Sequence, residues 1–268
     1  GTAAPTAEEM DGVPHHMLDV ADPGEDFSAA RYVEMASACV DDILARGRLP
    51  IIAGGTGLYI DSLLAGRTFA SFSPDSPLRK KLEQRYAAQG GSALLAELDR
   101  VDPDSARRLH PNDGKRIIRA LEVYQETGKT ITQHNLETQA IPPRFTPVWL
   151  GLDFEDRQQL YDRIDLRVTK MLEMGLLEEI QELLASGVPE KATAMQAIGY
   201  KEFVDALASR ETLETAADQV RQSSRRYAKR QLTWFRRNKA MHWFIREKQT
   251  TGEDIFRSAR QVLREIDK

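Results

Sequence analysis

Cysteine is nearly missing from this chain. Cys39 stands alone among 268 residues, which excludes an internal disulfide, and no Cys/His spacing resembles a zinc site. Its place in an apolar helical pattern reads as a core thiol. No run approaches the ~18 apolar residues that span a membrane, and no signal peptide opens the sequence, so no membrane partner is expected and the expected compartment is the cytoplasm. No phosphate loop of the GxxxxGK[ST] kind occurs in residues 1–268. The most informative absence is local. Residues 219–246 contain no Asp or Glu, although the whole chain has 41 acidic and 37 basic residues and a net charge of −4. A mildly acidic protein is not a general nucleic-acid binder and needs a local basic surface to hold a polyanion.

That surface is present in the acid-free stretch, as Arg221, Arg225, Arg226, Lys229, Arg230, Arg236, Arg237, Lys239 and Arg246. At helical spacing Arg221, Arg225 and Lys229 share one face, with Arg226 and Arg230 beside them, while Val220, Tyr227, Leu232 and Phe235 point elsewhere. Like charges at this spacing repel by a few tenths of a kcal/mol per pair unless an anion lies across them. A phosphate backbone or a diphosphate is the natural anion. The competing reading is a solvated helix face. A face of one sign on an acidic chain, interleaved with Trp234 and Phe235, favours the polyanion site.

The order of elements reads as α/β. Ser28 caps a helix over about 29–46 that Gly47 stops, with Tyr32, Val33, Ala36, Val40, Ile43 and Leu44 on its apolar face. LPIIA (49–53) reads as a strand buried on both faces of a parallel sheet. Gly54, Gly55, Thr56 and Gly57 follow, then a helix over 58–64. The Ser/Pro-rich stretch 68–77 reads as a hinge. From 77 to about 136 the pattern is helical throughout, an all-α insertion. VWLGLDF (148–154) reads as a second buried strand, 156–186 as one or two amphipathic helices, 191–208 and 212–239 as further helices, 241–245 as a last strand and 253–267 as a closing helix. The expected domains are a core of 1–70 with 141–268 and an insertion of 71–140.

Several segments carry possible chemistry. GGTGLY (54–59) places glycine amides, including those of Gly54 and Gly55, and the Thr56 hydroxyl between strand and helix, where α/β proteins hold ligands and a helix N-terminus favours an anion. A tight turn chosen for geometry is the plain alternative. His15 and His16 lack a third ligand nearby and read as structural. HPNDGKRIIRALEVY (110–124) puts Lys115, Arg116 and Arg119 on the first turns of a helix that Asn112 or Asp113 can cap. Cations there oppose the macrodipole, so another demand must hold them. Arg163 and Arg167 stand at i,i+4 with Lys170 beyond, and Asp162 and Asp165 are available to pair with them. AMQAIGYKE (194–202) carries Gly199 inside a helical pattern at a cost of about 1 kcal/mol against alanine, which suggests close packing or a ligand.

GGTGLY, HPNDGKRIIRALEVY, RxxxRVxxMLxxGLLEE, AIGYKE and RRYAKRQLTWFR occur in the order and spacing of the bacterial tRNA dimethylallyltransferases, also called tRNA isopentenylpyrophosphate transferases. DGVPHHMLDVADPGEDFSAARY near the start is similar to the same family, so the resemblance runs over nearly the whole chain. It implies a core similar to the P-loop nucleotide kinases, a nucleotide-binding architecture, with a helical insertion that grips the anticodon stem-loop of tRNA. The implied reaction joins N6 of the adenosine 3′ of the anticodon to C1 of dimethylallyl diphosphate, expelling diphosphate with Mg²⁺ assisting. The resemblance places Thr56 at the reaction centre and Arg79 on tRNA. It also places Lys115, Arg116, Ile117, Ile118 and Arg119 on the anticodon loop. Further tRNA contacts are implied for Gln196, Ala197, Ile198, Gly199, Tyr200 and Lys201, and for Lys229, Arg230, Gln231, Thr233, Trp234 and Arg236. Arg163 and Arg167 are candidates for the diphosphate or the RNA backbone, and no metal ligands are assigned.

One departure stands out. The family opens with a strand, a phosphate loop of the GPTASGKT kind and a segment holding its proposed general base. This sequence begins at the final Gly-Thr of that region, as Gly1-Thr2-Ala3. The expected core therefore lacks its first strand and phosphate loop. Two readings follow: a tRNA prenyltransferase, expected as a monomer, or a catalytically inactive tRNA-binding fragment. A nucleotide-kinase relative acting on a small molecule ranks below both, having no need of the acid-free stretch.

Overall fold

A computed structural model describes residues 4–66, 76–209 and 212–266. The stretch expected to act as a hinge, 68–77, lies outside the described residues up to position 75. The chain divides into two compact units, one of 1–61 with 146–268, the other of 62–145. The described architecture is α/β, a small parallel sheet with helices, and the second unit is all helical.

α1 (Ala29–Ala45) starts where the Ser28 hydroxyl accepts the Arg31 amide at 3.2 Å. It ends at Gly47, whose φ of +65° lets the Arg48 amide return to the Ile43 carbonyl at 3.0 Å. α2 (Gly57–Leu64) begins in the first unit, and its last turn belongs to the second.

The helical unit contains α3 (Pro77–Gln89), α4 (Gly91–Val101), α5 (Pro103–Ala106), α6 (Gly114–Thr127) and α7 (Ile131–Gln139). Leu82, Leu94, Leu98, Ile117 and Leu121 fill its core at 1% exposure or less. α7 opens with a reciprocal cap between Thr130 and Gln133, and the buried Asp102 accepts from the Ser105 amide and from both the amide and the hydroxyl of Thr132. Glu122 is fully buried in this unit. It accepts from Arg79 Nε at 3.0 Å and Nη2 at 2.6 Å, from Arg119 Nη1 at 2.9 Å and from Ser76 Oγ at 3.3 Å. Burial opposes its ionisation, but the hydrogen bonds and charges of Arg79 and then Arg119 outweigh that and hold the carboxyl below its ordinary value.

The chain returns through β1 (Trp149–Phe154), α8 (Arg157–Glu173), α9 (Leu176–Ala185), a 3-10 turn at Ala194–Gln196, α10 (Lys201–Ser209), α11 (Leu213–Phe235), β2 (Met241–Arg246) and α12 (Gly252–Ile266). β1 and β2 pair in parallel from Trp149↔Met241 to Phe154↔Arg246, and α8 to α11 form the long crossover that parallel strands require. Between α8 and α9 Gly175 takes φ +93°, so the one or two helices expected over 156–186 are two. The core of this unit is helical: Val168, Leu176, Ile180, Met195, Phe203, Ala216, Ala217 and Val220 are all buried.

Three expectations are corrected. Residues 49–53 form no strand. Leu49 is 69% and Ile51 82% exposed, because an apolar run specifies extended chain but not the neighbour whose amides would complete a ladder. β1 is buried on one face only: Gly151 and Asp153 point inward while Leu150 and Leu152 are exposed. Gly199 is not inside a helix but in the turn before α10, at φ +100°, a conformation that any side chain would strain.

Removing the charge of Glu122 tests the helical unit. Glu122→Gln leaves two guanidiniums facing a neutral amide and is expected to cost about 3 kcal/mol at neutral pH. The folded-state pKa of Glu122 is depressed. Its contribution is therefore complete above the ordinary glutamate value of ~4.3 and lost as pH falls through the folded value. Thermal melts at pH 7 and near pH 3 should show the gap between wild type and variant shrinking on acidification. A gap unchanged by pH would contradict this role for the carboxylate.

Candidate active site and basic surface

The turn at 54–57 and one stripe of α11 meet within the first unit. The Thr56 carbonyl accepts from the Tyr59 and Ile60 amides at 2.9 and 3.2 Å, so Thr56 opens α2. Its side chain is exposed at the surface. Tyr227, Gln231 and Trp234 stand at i, i+4 and i+7 on α11, one line along one face. Each meets a different part of the turn. The Tyr227 hydroxyl is 3.3 Å from Thr56 Oγ1. A Cβ on Gly55 would lie 1.8 Å from Gln231 Nε2, and one on Gly57 would lie 2.2 Å from Trp234 Cδ1. The Trp234 indole then donates to Asp61 Oδ2 at 2.9 Å, tying α2 to α11.

Aromatic rings line the same region. Tyr59 stacks on Tyr32 with centroids 4.6 Å apart, and Phe27 lies 6.4 Å from Tyr59. Burial and then the neighbouring Tyr227 push the Tyr59 phenol up, and burial and then Tyr59 push Tyr32 up, so both stay neutral at physiological pH. A cavity of about 310 Å³ opens beside Trp234, lined also by Asp61, Trp149, Phe235, Arg237 and Asn238. Thr56 is not part of its lining, and the cavity is not assigned to the chemistry.

The basic stretch is less uniform than its sequence. Arg221 pairs with Asp218 at 2.6 Å and Glu214 at 3.2 Å, carboxylates from the earlier turns of α11. Arg225 pairs with Asp165 of α8 and lies over the Tyr161 ring. Arg236 reaches the buried Asp153 at 2.7 Å. The expected face of one sign is thus corrected: acids outside the 219–246 window fold onto it. Arg226, Lys229 and Arg230 remain exposed and without an ion pair among the described residues, Arg230 lying 5.4 Å from the Tyr227 ring. Thr233 turns its hydroxyl back to the Lys229 carbonyl.

The other expected residues divide in the same way. Gln196, Ala197 and Lys201 are exposed. Ile198 packs against the helical core, Gly199 donates its amide to Glu202, and the Tyr200 hydroxyl donates to Glu179 at 2.7 Å. Burial first, then the Glu179 bond, raises the Tyr200 phenol far above its ordinary range, so it stays a donor. Arg163 is exposed with its guanidinium 5.8 Å from the Phe154 ring. The pairing expected of Asp162 and Asp165 with Arg163 and Arg167 is not the one observed for these carboxylates: Asp165 holds Arg225, and Asp162 accepts from Gln158. In the helical unit Lys115 and Arg116 are exposed, and Arg116 lies 3.7 Å from Asp113. Ile117 and Ile118 are buried core residues, and Arg79 and Arg119 are held by Glu122.

Residues 1–238 match the model of the IPP transferase family. The chain belongs to that family. Two relatives are named tRNA dimethylallyltransferase. The one from Caldanaerobacter subterraneus is 44% identical over 256 residues, covering 95% of this chain and 81% of the relative. The one from Desulforamulus reducens is 42% identical over 270 residues, covering 100% and 92%. Among solved structures, the full-length tRNA isopentenylpyrophosphate transferase of Bacillus halodurans is similar with a TM-score of 0.70 and 39% identity, over 99% of this chain and 82% of that one. A eukaryotic dimethylallyltransferase described as acting on tRNA gives a TM-score of 0.75 at 28% identity, over 96% and 66%.

Tyr227, Asp61, Asp153 and Glu122 were not singled out as site residues from the sequence. For Tyr227 a signal existed in the i, i+4, i+7 spacing with Gln231 and Trp234. Asp61 and Asp153 show their role only through partners 173 and 83 positions away, and Glu122 through Arg79, 43 positions away, beside the nearby Arg119. The close approach of α11 predicts unequal costs at the two glycines. In Gly55→Ala the new methyl meets the flexible end of Gln231, which can move. In Gly57→Ala it meets the Trp234 ring, which cannot move without breaking the Asp61 bond. Gly57→Ala is expected to lower the melting temperature more and to shift tryptophan emission, with Gly55→Ala near wild type in both. Equal effects would mean that Trp234 is not seated on the turn.

Proposed function

We propose that this chain transfers a dimethylallyl group from dimethylallyl diphosphate to N6 of the adenosine immediately 3′ of the anticodon in tRNA. The observation that carries the reading is the exposed Thr56 hydroxyl, in a glycine turn at a helix start and held against Tyr227, within the IPP transferase family. In the reaction the N6–C1 bond forms as the C1–O bond breaks. The diphosphate leaves with the electron pair, and the amine proton passes to water. Adenine N6 is a weak nucleophile, so the base must leave its stack and be aligned. The departing diphosphate needs donors aimed at the oxygens that gain charge. The Thr56 hydroxyl and the Gly54 and Gly55 amides are proposed as those donors, with Arg163 and Arg167 as further cations.

Arg226, Lys229 and Arg230 are proposed to meet the RNA backbone, and Lys115 and Arg116 the anticodon stem-loop through the helical unit. Arg79 and Arg119 are proposed to act by fixing that unit through Glu122. Ile117 and Ile118 are proposed to seat α6, which carries Lys115 and Arg116. The described residues contain no group of three metal-ligating side chains. Asp61 and Asp153 are engaged by Trp234 and Arg236, so no protein ligand is named for the Mg²⁺ proposed to assist the diphosphate, and no step is routed through it. No helix among the described residues is long and apolar enough to cross a membrane. A monomer acting on tRNA in the cytoplasm completes the proposal.

The test is incubation with dimethylallyl diphosphate and an anticodon stem-loop, followed by nucleoside mass spectrometry. N6-dimethylallyladenosine at the target position is expected. RNA that is bound but unmodified would leave a tRNA-binding protein as the better account. Thr56→Ala should lower kcat by about 100-fold with tRNA affinity within twofold. Equal losses in both would move Thr56 from chemistry to binding. Lys115→Glu with Arg116→Glu should weaken tRNA binding and flatten its dependence on salt. An unchanged slope would remove them from the interface.

A further inference from the structure

Tyr227 meets Thr56 through its hydroxyl, and that hydroxyl has no other hydrogen-bond partner among the described residues. The two neighbours on its stripe meet the turn itself by shape, Gln231 and Trp234 filling the space left by missing side chains on Gly55 and Gly57, while the Trp234 indole bonds Asp61 beyond it. A phenylalanine at 227 would supply the same ring for the Arg230 guanidinium above it. Packing alone therefore gives no reason for the phenol oxygen, which is turned to the one exposed hydroxyl of the glycine turn.

A threonine hydroxyl carries one proton and two lone pairs. If Thr56 donated to Tyr227, its only proton would be spent within the protein. If Tyr227 donates to Thr56, that proton stays free and its direction is fixed, since an exposed hydroxyl with no partner rotates at will. The phenol is the better acid of the two, which favours it as the donor.

We propose that Tyr227 is a positioning residue for the transfer: its hydroxyl donates to Thr56 Oγ1 and aims the Thr56 proton at the oxygen of the departing diphosphate. This rests on the proposed role of Thr56. Tyr227 touches neither substrate, and its effect passes through Thr56 alone. The bonds made and broken are unchanged. What Tyr227 supplies is a hydrogen bond already oriented when charge develops on the leaving oxygen.

The experiment is a double-mutant cycle with Tyr227→Phe and Thr56→Ala, reading kcat, KM for dimethylallyl diphosphate, tRNA affinity and the melting temperature. Tyr227→Phe is expected to lower kcat by about 5- to 10-fold, the worth of one hydrogen bond. KM and tRNA affinity should stay within twofold and the melting temperature should hardly move. In the Thr56→Ala background the same substitution should have no further effect on kcat. A Tyr227→Phe enzyme with wild-type kcat, beside an impaired Thr56→Ala, overturns the proposal and leaves the role of Thr56 standing. Equal fold-losses from Tyr227→Phe in both backgrounds mean that Tyr227 does not act through Thr56, which also overturns it. A Thr56→Ala enzyme with wild-type kcat removes the underlying reading and the proposal together. A fall in melting temperature that accounts for the loss of kcat would assign Tyr227 to folding instead.

Discussion

Gly55 and Gly57 leave no room for a side chain because α11 occupies that room. This close approach governs the arrangement of the first unit. It brings the opening of α2 against Tyr227, Gln231 and Trp234, sets the Trp234 indole on Asp61, and holds the exposed Thr56 hydroxyl against Tyr227. A side chain at Gly57 would push α11 away, since the Trp234 ring it meets is tied to Asp61. Tyr227 would then lose Thr56, and the cations on the exposed side of the same helix would shift with it. Glycine here serves contact between backbone and a facing helix.

Charge is arranged by a second constraint, the pairing of arginines with carboxylates that lie outside their own stretch of sequence. Asp165 takes Arg225, Asp153 takes Arg236, Asp218 and Glu214 take Arg221, and Glu122 takes both Arg79 and Arg119. Those arginines fix helices. Among the described residues of the 219–246 stretch, Arg226, Lys229, Arg230, Arg237, Lys239 and Arg246 keep no ion pair, and the polyanion proposed above would draw on these. A stretch with no acid of its own is thus partly neutralised in three dimensions.

Much of the helical layout was legible because its signals are local. Ser28 and Gly47 bound α1, and the helical pattern from 77 to about 136 is realised as α3 to α7, although Asp113 at the start of α6 makes no side-chain cap. The family was legible from five ordered blocks. The sheet was read less well. The 49–53 run has the composition of a buried strand yet joins no ladder, since pairing depends on a neighbour and not on the run itself. Burial within the site blocks was also hidden. Isoleucines 117 and 118 sit between basic residues in sequence, but a helix turns them 100° per residue away from Arg116, into the core. Gly199 looked like a defect in a helix because its positive φ ends one pattern and starts another.

The central claim is that the 54–57 turn, seated on α11, receives the diphosphate of the prenyl donor. Titration of isotopically labelled protein with inorganic diphosphate, followed by amide chemical shifts, tests it most directly. The account predicts saturable shifts at Gly54, Gly55 and Thr56, with smaller ones at Tyr227. Shifts confined to other basic residues, with the turn silent at saturation, would contradict it.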